Sequence, residues 1–150
     1  MTTQELEYDR SLLGVEHDAG TFEVSAEKIK AYCHAIGETN PVYTDEKAAK
    51  AAGHPSVAAP PAMCGLFVRG FGRPDIKIKF GRTSFHAGEV IENLAPVHAG
   101  DTLKATTSLK EVYAKTGRSG TMVFVVWETK FTNQKGQKVA DVQESFVRRQ

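Results

Sequence analysis

Ile29, Tyr32, Cys33 and Ile36 recur at i, i+3, i+4 and i+7. That spacing lines one face of an amphipathic helix. Ser25 is placed to cap its start, Glu27 sits in the first turn where the helix dipole favours an acid, and Gly37 is placed to stop it. Thr21 to Val24 reads as a short strand before it, and Thr44-Asp45-Glu46 restarts a short Ala-rich helix that ends at Gly53. The next apolar stretch has no polar face. Pro60-Pro61 opens it, Ala62 to Val68 is apolar all round, and Arg69-Gly70 ends it. A helix over Pro60 to Arg69 must therefore be covered on every side, with Met63, Leu66 and Phe67 in the core.

From about residue 75 the period changes to two. Leu103, Ala105, Thr107 and Leu109 alternate with Lys104, Thr106, Ser108 and Lys110. Gly117-Arg118-Ser119-Gly120 separates this run from the β-forming stretch Thr121 to Trp127. Asn133-Gln134-Lys135-Gly136 then turns the chain into a strand over Lys138 to Arg148. Consecutive antiparallel strands plus one apolar helix predict an α+β domain, a curved sheet wrapped around that helix. The part of the helix that the sheet leaves bare calls for a second subunit, and an open sheet edge calls for the same.

The 150 residues make one domain, with 41% hydrophobic and 25% charged residues, which is too apolar for a disordered chain. Nineteen basic against 18 acidic residues leave a net charge of +1, which removes the electrostatic case for nucleic acid or an anionic membrane. Cys33 and Cys64 sit in apolar stretches and form no CxxC pair, so they read as buried thiols in a reducing compartment. The acidic, polar start Met1 to Glu7 lacks the basic and apolar parts of a secretory signal, and no apolar run approaches a membrane span. A cytoplasmic location is the expectation.

The histidines His17, His34, His54, His86 and His98 lie at none of the usual ligand spacings, so no metal and no cofactor is expected. No GxSxG, P-loop or GxGxxG occurs, and no basic stripe interleaves with Phe80, Phe85 and Tyr113. The segment that carries candidate chemistry is Tyr32-Cys33-His34-Ala35-Ile36-Gly37-Glu38-Thr39-Asn40-Pro41-Val42-Tyr43, a helix end followed by a polar turn. Gly37, Asn40, Pro41 and Val42 match, at the right spacing, the Gly-Asp-x-Asn-Pro-[apolar]-His turn of MaoC-like (R)-specific enoyl-thioester hydratases. Ala58-Ala59-Pro60-Pro61-Ala62-Met63 resembles the approach to that family's central helix. Phe85-His86-Ala87-Gly88-Glu89 and Pro96-Val97-His98-Ala99-Gly100-Asp101-Thr102-Leu103 resemble strand segments of its N-terminal type of domain. The resemblance runs from about Leu13 to Arg148 and implies a hot-dog fold.

It also implies a role for particular residues. The family's catalytic aspartate position holds Glu38 and its catalytic histidine position holds Tyr43. Adding water across the α and β carbons of a thioester needs an acid/base pair and a donor for the developing oxyanion. Glutamate keeps the carboxylate but reaches further, and a misplacement of about 1 Å can cost about 100-fold. Tyrosine, with a reference pKa near 10, is a poor base at neutral pH. Asn40 completes the implied catalytic set. The amides of Ala62 and Met63, together with Pro41, His86 and Gly88, are the implied substrate-binding set. The plain alternatives stand beside these roles: Glu38 solvating a turn, Tyr43 packing, Asn40 and Pro41 forming the turn, His86 and His98 serving as strand residues, and Gly88 and Gly100 shaping bends.

Both catalytic positions are substituted while the scaffold positions remain. The expected reading is therefore a degenerate subunit that binds an acyl thioester of CoA or acyl carrier protein. Its partner would be a catalytic MaoC-like subunit, or a second copy when the chain is alone. A stand-alone hydratase using Glu38 is the alternative, followed by a hot-dog thioesterase or a non-catalytic acyl-CoA binding module. The thioesterase lacks a carboxylate in Ala58 to Met63.

Overall fold

A computed structural model describes residues 5–150; Met1 to Gln4, part of the polar start, lie outside the described residues. Five antiparallel strands form one sheet: β1 (His17–Glu23), β2 (Thr83–Asn93), β3 (Thr102–Gly117), β4 (Gly120–Thr132) and β5 (Lys138–Arg149). Their order across the sheet is β1-β3-β4-β5-β2. The three long C-terminal strands make a meander, with the β3–β4 turn reduced to Arg118 and Ser119. Gly120, at φ 104, takes a conformation in that turn that other residues resist.

Three α-helices lie outside the sheet sequence: α1 (Ala26–Ile36), α2 (Glu46–Ala51) and α3 (Cys64–Phe67). α1 begins where its sequence says it should, with the Ser25 hydroxyl accepting the Lys28 N–H at 3.1 Å. It buries Ile29 and Cys33. Gly37 closes it at φ 72, and the Glu38 N–H reaches back to the Cys33 carbonyl at 2.9 Å, a Schellman ending. Within the expected start Thr44-Asp45-Glu46, the cap of α2 is Asp45, whose carboxylate accepts the Lys47 N–H.

The predicted central helix is the main correction. Helical structure extends over Cys64–Phe67 alone, not Pro60 to Arg69. Pro60 and Pro61 bring no N–H groups, and the first turn closes tightly, with Met63 and Gly65 donating to the Pro60 and Ala62 carbonyls. Gly65 within it and Gly70 just after it both weaken helical propagation. Leu66 is 48% exposed and does not belong to the core, while Met63 and Phe67 do. Beyond Gly70 the chain crosses the sheet without regular structure until β2 begins at Thr83. The two-residue period therefore starts later than residue 75.

The concave face consequently carries two packed groups. One joins α1 and α3 to Leu103, Ala105, Phe131, Ala140 and Val142. The other sets Ile76 of the irregular segment on Leu109, Val125 and Trp127. Register places Glu89, Glu144, Trp127 and Leu109 in one row across four strands, with His86, Phe146 and Val125 in the next. The outer strands are β1 and β2, and on β2 Phe85 and Val90 stand exposed. The domain is an α+β hot dog, a sheet curved over a short buried helix.

Candidate functional site

The turn after α1 is built from its own side chains. The Glu38 carboxylate accepts the Asn40 N–H at 2.9 Å, and the Asn40 side-chain oxygen accepts the Val42 N–H at 3.1 Å. Pro41-Val42-Tyr43 forms one turn of 3-10 helix with Asn40 as its cap. Val42 and Tyr43 are half-buried and pack against the main core. Asn40 and Pro41 are exposed.

A ladder of main-chain bonds joins this turn to the approach of α3. Ala58 donates to the Val42 carbonyl at 3.1 Å, and Ala59 donates to the Val97 carbonyl at 2.8 Å. The ladder fixes Pro60-Pro61 beside residues 93–97. A cleft of about 370 Å³ opens there, lined by Pro60, Pro61, Met63, Cys64, Phe67 and residues 93–97. Its walls are mostly apolar, as a site for an acyl group requires. The Met63 N–H is already bonded to Pro60, so the first amide of this turn left without a backbone acceptor among the described residues is that of Ala62, which is exposed. Of the two amides expected to hold a thioester oxygen, only Ala62 retains a free donor.

Burial governs the thiols and the phenol near α1 and α3. The Cys64 thiol is pushed up to about 12 by desolvation. Cys33 is raised by burial and then by the charge of Glu38, and Tyr32 by burial and then by Cys33, Glu89 and Cys64. Both cysteines are buried and unpaired, inert as nucleophiles at neutral pH.

His86 and Gly88 lie on β2, away from the turn of residues 38–43 along the chain and on a different element. The register slips by one residue between them, and a Cβ at Gly88 would meet open space. Gly88 marks a bulge without needing to be glycine for room. His98 is engaged elsewhere, its Nε2 lying 2.9 Å from His54 Nδ1. Burial lowers its basicity, and His54 adds to that against an opposing pull from Asp101.

Sequence reasoning missed a polar group on the concave face. Arg73 forms an ion pair with Glu144, whose side chain is 6% exposed, and lies over the rings of Phe71, Trp127 and Phe146 at 5.1, 5.8 and 5.5 Å. The other Glu144 oxygen is 3.2 Å from His86 Nε2. Glu89 stands opposite Glu144, and its carboxyl is raised by burial first and then by the Glu144 charge. The visible signal was an acid within the alternating apolar register Val142-Glu144-Phe146. Among the described residues, no helix is long and apolar enough to cross a membrane.

Known proteins agree with this architecture. A UPF0336 protein of Streptomyces coelicolor is 34% identical over 115 residues, covering 73% of this chain and 76% of that protein. The crystal structure of the C-terminally truncated HadBC (3R-hydroxyacyl-ACP dehydratase) complex from Mycobacterium tuberculosis superposes with a TM-score of 0.73 at 19% identity, over 92% of this chain and 98% of that one. A MaoC-like dehydratase superposes with a TM-score of 0.81 at 22% identity, over 93% of this chain and 42% of that one. The likeness to these structures bears out the expected hot-dog fold. Residues 11–142 match the family described as "FAS1-like, dehydratase domain region", so the chain is a member of that family.

Proposed function

We propose that this chain is the substrate-binding hot dog of a two-subunit MaoC-type hydratase or dehydratase, acting in the cytoplasm on acyl thioesters of CoA or acyl carrier protein. The observation that carries the reading is the state of the turn after α1. Its one carboxylate, Glu38, accepts the Asn40 N–H through Oε1, and the side chain at the family's histidine position, Tyr43, is half-buried against the core. A hydrating site needs a carboxylate and a second proton-carrying group facing the same water. The structural parts these two side chains play support the non-catalytic reading, and the apolar cleft beside Pro60-Pro61 keeps the shape of an acyl site. The HadBC dehydratase is named as a complex, and that precedent supports a partner subunit here.

In this reading the cleft takes the acyl chain and the Ala62 N–H faces the thioester oxygen. Asn40 and Pro41 hold the turn, and the partner supplies the Asp/His pair. The exposed edge of β2 is the surface for that partner, or for a second copy when the chain is alone.

Hydration of a 2-enoyl-CoA, followed by loss of the enoyl-thioester absorbance, tests it. The purified chain is expected to bind the thioester and turn it over slowly or not at all. Glu38→Asp with Tyr43→His is expected to raise turnover. Ordinary hydratase turnover by the lone wild-type chain, abolished in Glu38→Gln and reduced in Tyr43→Phe by about 1–2 kcal/mol of barrier, would establish the stand-alone enzyme instead.

A further inference from the structure

Glu89 and Glu144, in the row of polar side chains on β2 and β5, have no part in the hydratase reading, and His86, expected among the substrate-binding residues, stands beside them. Glu89 and Glu144 are direct cross-strand partners, so their carboxylates leave the same concave face. Like charges directly opposite one another destabilise a sheet, and a cation between them relieves that cost. Arg73 engages Glu144 through Oε1. Arg69 lies within electrostatic reach of Glu89 but is exposed and screened by solvent. Glu144 Oε2 and Glu89 Oε2 both face a single atom, His86 Nε2, at 3.2 and 3.9 Å.

We propose that His86 Nε2, a Glu89 oxygen and Glu144 Oε2 form a site for a divalent transition metal of the zinc class. The three ligand atoms lie within 4.8 Å of one another. Zinc bonds of about 2.0–2.2 Å set ligand separations of roughly 3–3.5 Å, so closing the site needs a shift on the order of 1 Å. An imidazole with two carboxylates suits zinc and its neighbours better than magnesium or calcium, which prefer oxygen alone.

Each ligand is steadied from behind. Arg73 holds the far oxygen of Glu144, as an outer-sphere partner does. The Glu89 carboxylate lies against Gly65 of α3, where a Cβ would collide with it. The His86 ring meets Phe146 edge-on at 5.3 Å. The His86 and Glu89 side chains are 36% and 22% exposed, so a water completes the coordination on the open side. The five histidine spacings concealed this arrangement because Glu144 arrives by strand pairing. The site does not depend on the hydratase reading.

The test uses the intact chain, stripped with chelator, at pH 7.5. Zinc is titrated by calorimetry, and Co²⁺ by quenching of Trp127, the one tryptophan and the cross-strand partner of Glu144. One saturable site per chain is expected, with quenching by Co²⁺. His86→Ala and Glu89→Gln should each weaken binding about 10- to 100-fold, and His54→Ala should leave it unchanged. Circular dichroism shows whether each variant is folded. Absence of saturable zinc binding below about 100 μM, a free energy near 5.5 kcal/mol, would overturn the proposal. So would undiminished binding by folded His86→Ala.

Discussion

Replacing Arg73 with methionine tests whether the concave polar group holds this face together. Methionine keeps much of the apolar length of the side chain and removes the guanidinium. Glu144, 6% exposed, then loses the cation at Oε1 and keeps only the His86 contact at Oε2. Stranding one member of a buried ion pair costs about 3–5 kcal/mol. The three ring faces beneath Arg73 lie at 5.1 to 5.8 Å, and their cation–π attraction forms part of that loss. Small domains have a total stability of about 5–15 kcal/mol, so the loss is a large fraction of it. Urea unfolding followed by Trp127 fluorescence at fixed protein concentration measures it, because Trp127 lies directly across from Glu144. Adding Glu144→Gln to Arg73→Met removes the stranded charge and is expected to restore about half of the loss. A cost below about 1 kcal/mol for the single variant, or a double variant no more stable than the single, would refute the reasoning.

Further substitutions probe neighbouring energetics. Glu89 holds its proton to higher pH in the folded chain than in the unfolded one, so its contribution to stability falls as pH rises through that raised value. In metal-free buffer Glu89→Gln is therefore expected to raise the melting temperature at pH 7.5 and to give no gain near pH 4; equal effects at both would refute it. Within the sheet, Thr129 donates to Thr107 at 3.1 Å with both residues buried. Thr107→Val alone strands the Thr129 hydroxyl and should cost about 1–2 kcal/mol in urea unfolding, and Thr107→Val with Thr129→Val no more, because the pair then leaves no hydroxyl stranded.

The parts of the fold that local chemistry dictates were legible in the residues. Ser25, Gly37 and the apolar face of Ile29 and Cys33 define α1, and alternation from Leu103 onward defines the meander. The central helix was misread because Ala62 to Val68 is uniformly apolar, and composition does not show that two prolines and Gly65 leave so little chain to propagate a helix. Leu66 looked like core by type, yet its exposure depends on what covers α3. The motif located the turn of Glu38 and Tyr43 but did not show that Glu38 bonds the turn itself. The Arg73–Glu144–His86 group was out of reach because its members lie on three separated stretches: strand pairing joins His86 to Glu144, and Arg73 comes from the irregular segment that crosses the sheet.

The strand order also imposes a sequence of events during folding. β3, β4 and β5 are joined in turn and can pair as they are made, whereas β2 precedes all three and pairs only with β5. Its 11 residues, Phe85 and Val90 among them, must wait unpaired until the last strand has emerged. Long-range pairings of this kind form late, and unsatisfied strands recruit foreign ones in the interval. On this topology, losing the C-terminal strand deprives β2 of its one neighbour among the described residues as well as removing β5. A delay in making or pairing β5 therefore prolongs the interval in which Phe85 and Val90 stand open to other chains.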